Sequence, residues 1–189
     1  MDYTAIRHHF HQIAEPSGEE FNTQKLILDT LKDFQPSEIH TFNNSNNIIA
    51  VYDFGNDGPT VLIRGDFDAV RVEETLNIPY ISQNKGVAHK CGHDGHTTIL
   101  LGLAEQLHLH PFKTGKVLLF FQASEETGKG ADLLLQTHFL EDYSIDKVFA
   151  LHNIPGEAKG TIICKEGSFT CSVISCDINL YGHTSHAAE

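Results

Sequence analysis

The chain has 189 residues, of which 40% are hydrophobic and 20% are charged, so it can form one domain with a core, or one domain and the start of another. Its formal net charge of −12 argues against binding to nucleic acid, because contacts with phosphates require a basic surface. No segment approaches the ~20 apolar residues of a membrane span and the first residues lack the pattern of a signal peptide, so we expect a cytoplasmic protein without membrane partners, whose cysteines are thiols.

The first third of the chain has the patterns of two helices and three strands. Apolar residues at helical spacing predict a helix over residues 3–13. Ser17 and Glu20 match a capping box, which predicts that a second helix opens there and ends before Pro36. Turns rich in Asn and Gly then separate three runs typical of strands, EIHTF, IIAVYDF and TVLIRGD.

The middle of the chain alternates helices with apolar strands. Residues 99–110 predict a helix, and KVLLFFQ predicts a central strand buried on both faces. GADLLLQTHFL predicts a further helix, and DKVFALH predicts a second buried strand that ends at His152. This alternation predicts an α/β fold, a mostly parallel sheet flanked by helices, with ligands beyond the carboxyl ends of the strands.

The pattern changes after about residue 165. There SVISCDINLYGHTSHAAE alternates as a strand of an antiparallel layer does, and then the chain stops. We therefore predict an α/β domain over residues 1–168 and the first strand of a second domain over residues 169–189.

Several segments carry side chains suited to binding a metal ion, at predicted strand ends or just before a helix. These side chains are Asp66, Asp68, Cys91, His93, Glu125, Glu126 and His152. Because parallel strands end at the same edge of a sheet, we expect the segments to meet there. Thiolate, imidazole and carboxylate are ligands of zinc or a related divalent ion. One of the adjacent glutamates can bind the metal while the other takes a proton from a metal-bound water, whose pKa falls to about 7.

Each feature alone has a simpler structural explanation. The adjacent glutamates are typical of a solvated loop, and the aspartate pair of a turn or helix cap. Cys91 can be a small buried thiol, and His152 a core histidine. A cysteine hydrolase with Cys91 as nucleophile is another alternative, but it leaves both glutamates and His152 unexplained. The coincidence of all the segments at strand ends of one α/β domain favours the metal site.

Five stretches carry a resemblance to a known family: GDFDAV, HKCGHDGHTTILLG, LLFFQASEETGKGA, FALHNIP and GHTSHAAE. In this order they resemble the aminoacylase–carboxypeptidase metallo-amidohydrolases. The branch they resemble contains hippurate hydrolases, N-acetyldiaminopimelate deacetylases and indole-acetyl-amino-acid hydrolases. The chain departs from the family at FQASEE, RGDFDAVRV and YGHTSHAA, where members have FQPAEE, RADMDALP and GKGGHAA. These departures leave every ligand type in place.

The resemblance implies a role for each candidate residue. The implied metal ligands are Cys91, His93, Glu126 and His152. Cys91 would bridge two ions, which would be zinc or manganese, with cobalt and nickel as alternatives. Glu125 would be the general base, and Asp68 would support the metal centre from behind its ligands. His186 of the lid domain would reach the active site of the partner in a homodimer.

Members of the family are about twice as long and carry a further histidine ligand near the C-terminus. The resemblance therefore implies the N-terminal half of a metal-dependent amidohydrolase that acts on N-acyl amino acids or small peptides. Residues 1–168 would be its catalytic metal-binding domain, and residues 169–189 would begin its lid and dimerisation domain. The alternative is a truncated, catalytically incompetent fragment that binds metal or takes part in assembly.

Overall fold

A five-stranded sheet with helices beside it forms the framework in the computed structural model of the chain. The strands in chain order are β1 (Glu38–Phe42), β2 (Ser45–Asp53), β3 (Thr60–Asp66), β4 (Lys116–Gln122) and β5 (Lys147–Ala150). The helices are α1 (Tyr3–Gln12), α2 (Phe21–Asp33), α3 (His93–Leu109) and α4 (Lys129–Leu135), with a 3-10 helix over Phe139–Asp142. No helix in the described part of the chain is both long enough and apolar enough to cross a membrane.

The structure describes residues 1–55, 57–168, 170, 172, 174, 176 and 178–183. Its first compact unit is Met1–Asn153, which contains all the helices and strands given above, and its second unit is Ile154–Glu189. Much of the segment over residues 169–189 lies outside the described residues, and so does His186. The boundary at residue 168, the strand after it and the role of His186 therefore stay predictions.

The sheet has the strand order β1-β2-β4-β3-β5 and is mixed. β1 pairs with β2 and β2 with β4 in antiparallel fashion, whereas β3 pairs in parallel with both β4 and β5. A short turn joins β1 to β2, and strands joined so closely can only pair antiparallel. The predicted α/β class with flanking helices is confirmed, while the parallel part of the sheet is limited to β4, β3 and β5.

β4 lies in the middle of the sheet and is buried on both faces, as its apolar run predicted. On one face Leu119 and Phe121 join a cluster with Leu31 of α2 and Leu100 of α3. On the other face Leu118 and Phe120 pack in a second cluster that includes Leu134 of α4. Helices therefore cover both faces of this strand.

The prediction of a second buried strand at DKVFALH is wrong. All the residues of β5 are exposed, with Val148 at 64% and Phe149 at 54%. Among the described residues, β5 is an edge strand that pairs with β3 alone. A short apolar run predicts a strand but does not reveal whether other elements cover it.

The predicted capping box at the start of α2 does not form. Ser17 Oγ donates instead to Asp68 (2.7 Å). Glu20 is fully buried and accepts a hydrogen bond from the Ser124 N–H at 2.8 Å. The N–H groups of Asn22 and Thr23, the second and third residues of α2, donate to the carboxylate of Glu15. Both residues of the expected box thus have partners that are distant in the sequence.

Candidate metal centre

The segments predicted to meet do so at the carboxyl edge of β3, β4 and β5, beside the start of α3. The potential ligand atoms form three groups, and within each group they lie within 4.8 Å of one another. The groups are Cys91–His93–Glu126, Asp66–His93–Glu125 and His93–His96–His152. All the side chains named as candidate ligands, except Asp68, belong to at least one group, and His93 belongs to all of them.

α3 begins at His93 rather than at Ile99, so its first turn belongs to the site. Gly92 precedes it with φ of 91°, a left-handed conformation that glycine adopts without strain. His93 and His96 are three residues apart and therefore lie on one face of the helix. The sequence analysis gave His96 no role. Its spacing of three residues from His93 could have identified it as part of the same site.

His93 is the most enclosed member of the site, with 1% of its surface exposed. Its Nδ1 lies 2.9 Å from the carbonyl oxygen of Asp68 and 3.2 Å from the Asp68 carboxylate. Its Nε2 is buried and has no hydrogen-bond partner among the described residues. Carboxylate oxygens of Asp66 and Glu126 lie 3.7 Å from Nε2, and one of Glu125 lies 4.0 Å away. The space between the buried Nε2 of His93 and these three carboxylates is therefore suited to a cation.

The pKa of His93 reports the same negative environment. Burial alone lowers this pKa, but the hydrogen bond to Asp68 and the charges of Asp66, Asp68 and Glu126 outweigh burial and raise it. The surroundings of His93 therefore stabilise a positive charge.

Asp68 connects the start of α3 to the loop after β4. Its buried carboxylate accepts from the Glu126 N–H at 3.0 Å, from Ser17 Oγ and from His93 Nδ1. Burial raises the pKa of this carboxyl, but the hydrogen bonds outweigh burial and lower it, so the group is ionised. Asp68 thus fixes both the ring of His93 and the backbone of Glu126.

Glu125 and Glu126 are held in place by the residue before them. Ser124 has φ of 52°, in the left-handed region that non-glycine residues rarely adopt. Its N–H and its hydroxyl both donate to the buried carboxylate of Glu20. The Glu125 side chain is 37% exposed and lies 3.9 Å from Arg64, and its pKa is raised by burial and by the charge of Asp66.

Cys91 is surrounded by acidic groups. Burial, then a hydrogen bond to Glu126 and the charges of Glu126, Glu125 and Asp66, raise the pKa of the Cys91 thiol to about 12. A cysteine nucleophile needs a lowered pKa, which a nearby cation supplies. The environment therefore argues against the cysteine hydrolase, whereas a coordinating metal ion would itself deprotonate the thiol.

His152 follows β5 and is exposed, so it is not the core histidine of the simpler explanation. Its ring centroid lies 4.6 Å from that of His96 and 5.9 Å from that of His93. Its Nδ1 donates to the carbonyl oxygen of Asn153 at 2.8 Å. The other nitrogen of this ring, Nε2, has no hydrogen bond to any described residue and can therefore act as a ligand.

A buried ionic network lies behind the start of α3. His11 of α1 bridges two carboxylates, with its Nδ1 2.9 Å from Asp94 and its Nε2 3.0 Å from Glu74. Lys90 also pairs with Glu74, and Arg7 lies 3.3 Å from Asp94. The network ties α1 and the loop before Cys91 to the first turn of α3.

Comparison with known proteins identifies the family. The family model for Peptidase family M20/M25/M40 matches residues 62–188. The chain belongs to this family. The family resemblance of its motifs is thereby confirmed.

N-acetyl-L-cysteine deacetylase of Bacillus subtilis is 37% identical over 97% of this chain and 44% of the relative. Hippurate hydrolase of Campylobacter jejuni is 33% identical over 99% of this chain and 48% of the relative. The crystal structure of Bacillus subtilis YXEP, described as a dinuclear metal binding peptidase from the M20 family, matches with a TM-score of 0.75 and 32% identity. That match covers 82% of this chain and 43% of YXEP. The chain spans about half the length of the curated M20 relatives it matches.

Proposed function

We propose that this chain acts in metal-dependent hydrolysis of the amide bond of N-acyl amino acids or small peptides. The observation that carries the proposal is the buried Nε2 of His93, which has no hydrogen-bond partner in the described part of the chain, faces three carboxylates and lies beside Cys91. The relatives support the reaction class, because they are named as a deacetylase and a hippurate hydrolase. The structure of YXEP is described as that of a dinuclear metal binding peptidase, and this similarity supports a site for two ions in this chain.

The donor set combines thiolate, imidazole and carboxylate and suits divalent ions that accept sulfur, nitrogen and oxygen ligands. Cys91, His93, Glu126 and His152 would hold the ions. Zinc and manganese are the proposed ions, and cobalt and nickel are alternatives. When bound, such ions polarise the amide carbonyl and lower the pKa of a water molecule to about 7.

Glu125 is the proposed general base. Its carboxylate takes a proton from the attacking water and delivers it to the amine nitrogen of the leaving group. Its raised pKa suits this exchange, because a base with a pKa closer to neutral also returns the proton more readily. Asp68 keeps His93 and the Glu126 backbone in position. In a homodimer, His186 would stabilise the oxyanion in the partner's site.

Metal content of the purified chain tests the ligands. After gel filtration without added metal, mass spectrometry should find one or two divalent ions in each chain. Cys91→Ser and His93→Ala should remove most of this metal, whereas Cys164→Ser, at an exposed cysteine of the second unit, should not. A folded chain that takes up no zinc or manganese, even when either is added, contradicts the metal centre.

Hydrolysis tests the reaction. The metal-loaded chain should release amine from at least one of N-acetylcysteine, hippurate and N-acetyldiaminopimelate. Glu125→Gln should abolish turnover while the metal content is retained, and Glu73→Gln, at an exposed glutamate, should change neither. Turnover by Glu125→Gln would refute its role as base. A chain that holds metal but hydrolyses none of the three substrates would support the alternative of a metal-binding fragment.

A further inference from the structure

We propose that His96 is a positioning residue for His152, and that it acts by holding the backbone at Asn153. The inference rests on the proposed function, because His152 matters as a metal ligand only if the metal centre exists. His96 itself carries no role in the proposed reaction.

Both nitrogens of the buried His96 ring are engaged, so His96 is not free to bind a metal ion. Its Nδ1 lies 2.6 Å from Asp66 Oδ1, and because a carboxylate can only accept, Nδ1 carries the proton. In the neutral ring Nε2 is then an acceptor, and the Asn153 N–H donates to it at 3.0 Å. Asn153 Oδ1 lies 2.7 Å from the same nitrogen. Because two acceptors cannot share a hydrogen bond, the side-chain amide pairs with Nε2 only when its NH2 group occupies that position. His96 thus links the end of β3 to the chain just beyond β5.

The end of β5 needs such an attachment. The strand is short and exposed, and its pairing with β3 ends at Ala150. One more backbone hydrogen bond, a long one of 3.3 Å from the Leu151 N–H to Arg64, continues the pairing. After it, the contacts with His96 hold the chain at Asn153, and the ring of His152 packs against the ring of His96. The position of His152 therefore depends on His96.

Asn153 also packs directly on Gly92, which lies between Cys91 and the start of α3 at His93. A Cβ atom at Gly92 would lie 2.6 Å from Asn153 Oδ1, which is too close for any other residue without a shift. The glycine therefore permits Asn153 to approach the loop. His96 and Asn153 together bring the exposed His152 beside the buried His93.

Two substitutions at His96 separate its contacts. In His96→Asn the shorter amide can still donate to Asp66 from the place of Nδ1, but it does not reach Asn153. In His96→Gln the longer side chain places an oxygen near the position of Nε2, where it accepts from the Asn153 N–H. If His96 acts through Asn153, His96→Gln should keep the protection of the Asn153 amide and most of the metal affinity, and His96→Asn should lose both.

The first measurement is amide hydrogen exchange at Asn153 by NMR on the metal-free chain. We expect exchange at Asn153 to accelerate about tenfold or more in His96→Asn and to stay near the wild-type rate in His96→Gln. The second is affinity for cobalt(II), followed by its absorption spectrum. We expect a loss of about 10- to 100-fold in His96→Asn, the range seen when residues supporting a ligand are removed, and a smaller loss in His96→Gln. Thermal unfolding of both variants controls for general loss of structure.

Equal loss of cobalt affinity in both variants, with Asn153 exchange unchanged, would overturn the proposal and indicate that His96 binds the metal itself. If His96→Asn does not fold, Asn153→Pro provides the test, because proline lacks the N–H that donates to His96 Nε2. It should lower cobalt affinity several-fold, and an unchanged affinity would count against the proposal. If the wild-type chain binds no metal, the proposed function fails, whereas the exchange comparison still decides whether His96 holds Asn153.

Discussion

The two sides of the candidate metal centre differ in how they are held. The buried side consists of Asp66, Asp68, His93 and His96, each at most 1% exposed and fixed by hydrogen bonds to other elements. The open side consists of Glu125, Glu126 and His152, which are partly or largely exposed. On the buried side, the folded structure fixes the positions of the side chains. The open side remains accessible to substrate.

The difference also separates stability from binding. A change on the buried side leaves donors or charges without partners inside the protein, which costs folding free energy. A change on the open side exposes the altered group to water and costs little, even where it removes a ligand. Two predictions test this separation, and a third, intermediate in size, tests the buried ionic network behind the start of α3.

The largest effect should come from Asp68→Ala. The substitution removes the acceptor for Ser17 Oγ and the Glu126 N–H, and it leaves His93 Nδ1 only the Asp68 carbonyl oxygen. It also removes a buried charge beside His93, so the free energy of unfolding should fall by about 3–5 kcal/mol. Urea unfolding of the metal-free chain measures it. Asp33→Ala, at an exposed aspartate, should change stability by less than about 0.5 kcal/mol. A loss below about 1 kcal/mol for Asp68→Ala would show that the buried side is not held as described.

An intermediate effect should appear in the pH dependence of stability. Burial raises the pKa of Glu74, but hydrogen bonds from Lys90, the Ser82 N–H and His11 outweigh burial and lower it from 4.5 to about 2. A lowered folded-state pKa contributes stability that is fully present above pH 4.5 and is lost as the pH falls towards 2.

Glu74→Gln should therefore be less stable than the wild type at neutral pH and should lose stability less steeply below pH 4.5. The difference in slope should be about 1 kcal/mol per pH unit. Denaturant unfolding between pH 6 and pH 2 measures both curves, with Glu73→Gln as the exposed control. Parallel curves for the wild type and Glu74→Gln would contradict a lowered pKa.

The smallest effect on stability should come from His152→Ala, on the open side. Because the side chain is exposed, the free energy of unfolding of the metal-free chain should change by less than about 0.5 kcal/mol. Zinc affinity, measured by competition with a chelator, should nevertheless fall. His9→Ala, at an exposed histidine of α1, should change neither quantity. Unchanged zinc affinity would remove His152 from the ligand set.

The sequence predicted best what local patterns determine. β1, β3 and β4 occur where turns and apolar runs placed them, because these signals lie within or beside each strand. The meeting of the candidate ligands was also predictable, since β3, β4 and β5 are parallel and end at one edge.

Features that depend on contacts between distant parts of the chain could not be predicted from the sequence. Ser17 and Glu20 have the spacing of a capping box, yet their partners are Asp68 and Ser124, which only the folded chain brings near. The polar first turn of α3 lacks the apolar spacing that marks a helix, so its start at His93 was missed. The exposure of β5 depends on what covers it, which its own residues do not encode.

The left-handed Ser124 has a consequence for protein engineering. This conformation costs roughly 1–3 kcal/mol for a residue with a side chain, and Glu20, 104 positions away, offsets part of that cost through its two hydrogen bonds. The loop that presents Glu125 and Glu126 is therefore not a self-contained module. A chimera that receives this loop from another member of the family has to receive a compatible partner at position 20 with it.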